Sequence, residues 1–168
     1  MSYADSILPE FDQEMANTRK VLERVPDDKL DWKAHPKSCS IGWNANHLAE
    51  IPSWVPGTLT ELSWDFDPPG GPRYVPPALK TRQEILDLFD QNVAAARQAF
   101  QDVKDDSEMA KAWTLLAGGK PLLTLPRAVM IRSFVLNHII HHRAHLLVYL
   151  RLNDVPVPGM YGPSGDEE

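Results

Sequence analysis

The stretch NHIIHHRAHLLVYLRL, residues 137–152, holds His138, His141, His142 and His145, four of the chain's 6 histidines. Imidazole binds borderline divalent ions, and its pKa near neutrality also suits proton transfer, so metal-assisted chemistry is the first reading to weigh. Helical residues turn by about 100° each, which puts His138 and His142 one turn apart and within about 40° of each other, able to reach one ion together. His145 lies a further turn along, and His141 falls towards the edge of the same face. A third ligand must come from elsewhere. His47 is best placed, on the inward face of another helical segment among Trp43, Leu48 and Ile51. Glu50, three residues on, can reach the same ion or its water and is the candidate general base.

The alternative is ordinary core packing. A lone histidine on an apolar face is more often a hydrogen-bonded core residue than a ligand. Three buried together with no shared partner leave several nitrogens unpaired, at about 1–3 kcal/mol each. That cost favours a metal for His47, His138 and His142. His35, beside Pro36 in a polar stretch, reads as a solvated surface residue. His141 and His145 read as rim residues, with adventitious ligation as the other option.

These residues need elements to position them. Over 5–25, Ile7, Leu8, Phe11, Met15, Thr18, Val21 and Leu22 recur at threes and fours, which predicts a first helix ending before Val25-Pro26. A second is expected over 41–64, started by Ser38 or Ser40 and kinked or broken at Pro52 and Pro56. Residues 65–80 are too rich in proline and glycine for a regular element and predict a long loop. Thr81 with Glu84 forms a capping box ahead of a third helix that ends near Lys104, with Ile85, Leu88, Phe89, Val93, Ala96 and Phe100 facing inward. GGKP, in the middle of 105–125, reads as a turn, in a two-stranded or irregular excursion. Pro126 opens a fourth helix running to about Asn153, with Val129, Phe134, His138, Ile139, His142, Leu146 and Tyr149 along it. The expected architecture is an all-α four-helix bundle with a long loop between helices two and three, over one domain spanning 1–168.

Composition narrows the function classes. The chain has 168 residues, 43% hydrophobic and 24% charged, which matches ordinary globular domains. A net charge of −6 without a Lys/Arg run argues against nucleic acid and anionic membrane as partners. Cys39 is the one cysteine, so no internal disulfide forms and no thiolate ligand set exists. With no charged start leading into an apolar run, and no apolar stretch of about 18 residues, a cytoplasmic location is expected.

IGWNANHLAEIPSW, NHIIHHRAHLLVYLRL and the tail VPGMYGPSGDE together resemble the DinB-like, damage-inducible superfamily of metal-binding four-helix bundles, in element order over nearly the whole chain. The resemblance implies a three-histidine site with one ligand from the second helix and an H-x-x-x-H pair from the last, falling on His47, His138 and His142. The family often continues HHR with Gly and Gln, where this chain has Ala144 and His145. It also implies thiol S-transferase or small-molecule hydrolase chemistry in some relatives, and homodimerisation.

Three imidazoles leave a divalent ion, zinc or nickel first and manganese or iron also, with open positions for water or a thiol. Either becomes a nucleophile near neutral pH when metal-bound. The expected function is a metal-dependent enzyme of transferase or hydrolase type acting on a small-molecule or thiol substrate; the alternative is a non-catalytic, stress-associated bundle whose ion only stabilises it. Arg143 and Arg151 are candidate partners for a substrate carboxylate, or else surface residues paired with Asp154 or the acidic tail. Trp43, Trp54, Trp64, Tyr74 and Tyr161 wall a pocket or fill core, core being the expectation for Trp43.

Overall fold

The computed structural model describes residues 2–167. Ser2 opens α1 (Tyr3–Leu22): its hydroxyl accepts from Asp5 N at 3.1 Å, and the Asp5 carboxylate accepts from Ser2 N at 3.0 Å. This reciprocal pair satisfies two amides that a helix start leaves free. Ile7, Phe11, Met15, Thr18, Val21 and Leu22 are all buried, as their spacing requires.

α2 (Ile41–Glu50) starts at the second of the two expected serines, with Ser40 Oγ accepting from Trp43 N at 3.1 Å. The Leu30 carbonyl accepts from Gly42 N at 2.8 Å, and a Cβ at Gly42 would stand 2.9 Å from that oxygen. Glycine thus lets the incoming loop close on the helix. Pro52 has no N–H to extend the ladder, so the chain passes through a 3-10 turn, Ile51–Ser53, into α3 (Trp54–Thr60). The expected helix over 41–64 is therefore broken at Pro52, and Pro56 sits in the first turn of α3, where its missing donor costs nothing.

β1 (Ser63–Asp65) follows, and 66–80 carries no helix or strand. Asn46 pins the end of this loop to α2, accepting from Leu79 N at 2.9 Å and donating to Leu79 O at 3.2 Å. α4 (Arg82–Gln101) begins with the Thr81–Glu84 capping box, a device worth about 1 kcal/mol.

The all-α expectation is corrected by a three-stranded sheet. β2 (Ala112–Ala117) runs parallel to β1 and antiparallel to β3 (Lys120–Pro126). Gly118 and Gly119, at φ 61° and 73°, form the two-residue turn between them. Positive φ at both central positions is what a type I′ hairpin needs. The expected fourth helix starts only after this strand, as α5 (Arg127–Met130), a π turn (Ile131–Leu136) and α6 (Asn137–Arg151). Inside the π turn the buried face advances five residues, from Met130 and Ile131 to Val135 and Leu136, rather than three or four. Val129, expected inward, is 46% exposed, just before the buried Met130 and Ile131.

α1 and α2 each pack against both α4 and α6, and the buried side chains form one contiguous cluster. The fold is mostly helical, a bundle with a small sheet at one side. No described helix is long and apolar enough to cross a membrane.

Candidate metal centre

α2 and α6 lie side by side, and their contact face brings His47, His138 and His142 together. A donor nitrogen from each lies within 4.8 Å of the other two, and His47 Nε2 stands 3.3 Å from His138 Nε2. Two nitrogens bound to one tetrahedral ion at about 2.0–2.1 Å stand about 3.3 Å apart.

What the other ring nitrogens touch fixes which way each ring faces. Asn44 Nδ2 donates to Ser40 O at 2.9 Å, which turns Asn44 Oδ1 toward His142 Nδ1 at 3.2 Å. An amide oxygen only accepts, so the His142 proton belongs on Nδ1 and its Nε2 carries a lone pair. His138 Nε2 points at His47 Nε2, 3.3 Å away. His47 Nδ1 lies 3.4 Å from Glu50 Oε2, in ion-pair range though not aligned as a hydrogen bond. Asn44 thus holds the His142 proton away from the three-histidine centre, and the His47 and His138 nitrogens face each other at the spacing that one shared ion would also give.

Burial pushes the His138 imidazole down to about 4, with His47 adding to the effect. Burial likewise takes His142 down to about 3, helped by the neighbouring His47 and His138 rings. Both are neutral at pH 7, the form that binds metals. Glu50 is 6% exposed, and its Oε2 has no hydrogen-bond partner among the described residues. A buried carboxylate oxygen left this way is costly unless positive charge faces it. A cation on the far side of His47 supplies that charge, so the residues present fit a divalent ion. No fourth His, Cys, Asp or Glu among the described residues joins this group.

Aromatic rings surround the histidines. Trp43 is 38% exposed and lies 4.7 Å from the His47 ring and 5.5 Å from that of His142, so it walls the site and does not fill core as expected. Trp54 is 5.5 Å from both His47 and His138 and stacks on Phe134 at 4.8 Å. Beyond it, Trp54, Trp64, Trp113, Ser53, Thr58 and Glu61 line a cleft of about 220 Å³. Tyr74 packs on Trp64 at 5.2 Å.

Other candidates fall outside. Arg143 is not available to a substrate: at 2% exposure it points at α1, pairing with Glu14 at 2.6 Å and donating to Glu14 O, Thr18 Oγ1 and Tyr161 Oη. The side chain after a ligand projects about 100° away from it, here onto a different helix. Arg151 pairs with Asp166 of the acidic tail. His141 and His145 are exposed, their rings 4.2 Å apart. His35 sits in an exposed turn and accepts from Lys37 N at 3.1 Å. The sequence reading missed what Asn44 does, although its place three residues before His47 on the same face was a usable signal.

Comparison with known proteins agrees with the geometry. A family model described as the DinB superfamily matches residues 10–146. The chain is 25% identical over 163 residues to YrdA of Bacillus subtilis (strain 168), a protein described as uncharacterized, covering 97% of this chain and 90% of that one. Among solved structures, it is similar to a DinB-like protein from Bacillus cereus, at 23% identity, TM-score 0.69, and coverage of 94% of this chain and 97% of the other. The DinB-like protein YjoA from Bacillus subtilis is similar too, at 12% identity, TM-score 0.67 and coverage of 92% and 96%. Both likenesses show the fold.

Proposed function

The chain belongs to the DinB superfamily, and we propose that it is a metal-dependent enzyme acting on a small molecule, with His47, His138 and His142 as the ligands of one divalent ion. The observation that carries this reading is the convergence of three imidazoles from two helices, with the His47 and His138 Nε2 atoms 3.3 Å apart and the His142 proton drawn to Nδ1 by Asn44. Imidazole-only ligation suits zinc or nickel best among the ions a cell supplies. Such an ion, when bound, makes water or a thiol a usable nucleophile at neutral pH, for hydrolysis or for thiol transfer.

The chain's own residues do the rest. Asn44 holds the His142 ring with Nε2 inward. Glu50 lies against His47 Nδ1 and acts as a positioning residue for that ring, offsetting the positive charge of the centre. Trp43 and Trp54 limit water at the site and offer flat apolar faces to a substrate. A purely structural ion is normally closed off by four protein ligands; three donors and the half-exposed Trp43 support a site open to substrate.

Elemental analysis of untagged protein tests the metal: one equivalent per chain is expected, lost in His142→Ala. A thiol-conjugation and ester-hydrolysis screen, run with the metal present and after chelation, tests the chemistry. Protein that holds no metal and gains no thermal stability from zinc or nickel refutes the reading.

A further inference from the structure

We propose that His141 and His145 form a second, solvent-facing site for a borderline divalent cation such as Ni²⁺ or Zn²⁺, a port through which an ion reaches His142 and the buried centre. The port role rests on the three-histidine reading given above, while the outer pair stands on its own geometry.

His141, His142 and His145 are a second group whose donor nitrogens lie within 4.8 Å of one another. His141 and His145 sit four residues apart on α6, with rings 4.2 Å apart. Both are exposed, and neither makes a hydrogen bond among the described residues. The helix has already placed the two imidazoles on one face, so chelation needs only rotation of exposed side chains. Tyr149 lies parallel to the His145 ring at 6.5 Å, which limits how far that ring swings.

His142 belongs to both groups. Its ring is 4.9 Å from that of His141 on one side and 4.7 Å from those of His47 and His138 on the other. With His142 Nδ1 engaged by Asn44, an outer ion keeps two imidazoles and water, and water ligands exchange readily. Ligand number rises from two to three along the path inward, which sets the direction of transfer. Once the centre is filled, repulsion between like charges weakens the outer site, so the pair acts as an entry and not as a store.

Titration of untagged, metal-free protein with Ni²⁺ by calorimetry tests the outer site. Stopped-flow quenching of indole emission tests the port, since Trp43 lies 4.7 Å from the His47 ring. Wild type is expected to show a tight class and a weaker one. His145→Gln and His141→Gln should each remove the weaker class, keep the affinity of the tight one, and slow its filling several-fold. His47→Ala should do the reverse, losing the tight class and keeping the weaker. A single class in wild type that the double H141Q/H145Q change leaves intact, or a weaker class that survives that change, overturns the outer site. Equal filling rates in wild type and H145Q overturn the port. A wild type with only a weaker class that H145Q abolishes would instead refute the inner centre and leave the outer pair standing.

Discussion

Replacing Asn44 by leucine tests whether ring orientation sets metal affinity. The side chain is 1% exposed, and its Oδ1 takes the His142 Nδ1 proton at 3.2 Å. Leucine keeps the branched shape and removes the acceptor. A neutral hydrogen bond of this kind contributes about 0.5–1.5 kcal/mol net, and a donor left facing apolar atoms costs about 1–3 kcal/mol. The cost falls mainly on the metal-bound form, because only there must the proton stay on Nδ1; the free ring can move it to Nε2. A loss of about 1.5–2.5 kcal/mol corresponds to roughly 10–100-fold weaker binding, the range typical when an outer partner of a ligating histidine is removed. Competition for Zn²⁺ against a chromophoric chelator measures it, with the melting temperature of metal-free protein as the control for folding. His142→Ala, which removes the ligand itself, should lose more. If Asn44→Leu melts normally and binds zinc as tightly as wild type, the orientation argument is wrong.

Glu50→Gln should act in opposite directions on the two forms. Removing a buried charge whose Oε2 is unpartnered stabilises metal-free protein by about 1 kcal/mol, while metal affinity falls about tenfold; melting curves with and without zinc would show the crossover. Acid should destabilise the metal-free form, because burial lowers His138 and His142 from 6.5 to about 4 and about 3. Their contribution is complete above the unfolded value near 6.5 and fades as pH falls towards the folded values. Denaturant titrations across that window should show the decline, and His142→Gln should make it shallower. Arg143→Met strands the Glu14 carboxylate, 5% exposed, in the core, at a cost of about 3–5 kcal/mol that the double change with Glu14→Leu should largely recover.

The parts of this protein that sequence disclosed are those governed by local period. α1 and α4 each bury one stripe at threes and fours, and the Thr81–Glu84 box sits within four residues of itself. His138 and His142 share a helix, so their proximity needed no knowledge of the fold. His47 needed the added assumption that α2 lies against α6, which its apolar neighbours made reasonable.

What stayed hidden leaves no periodic signal, and in one case depends on contacts far apart in the chain. β1 is three residues long and exists through parallel pairing with β2, some fifty residues later. The β2–β3 hairpin is one of the two readings of residues 105–125, turning at GGKP as expected, but β3 is exposed along almost its whole length, so no alternation singled out the strands. The π turn adds a residue to one turn without any proline or glycine to announce it.

Arg143 is the instructive case, since the sequence left it between a substrate carboxylate and surface pairing with Asp154 or the acidic tail, and it does neither. Adjacent residues on a helix face different partners: His142 looks across to α2, whereas Arg143 looks to α1 and is closed in by Tyr161 from the tail. α6 therefore serves the centre with one face and anchors the bundle with the next. Variants of Arg143 should accordingly change stability first, and metal affinity only as far as α6 itself shifts. Separate measurement of melting and zinc binding would tell those two effects apart.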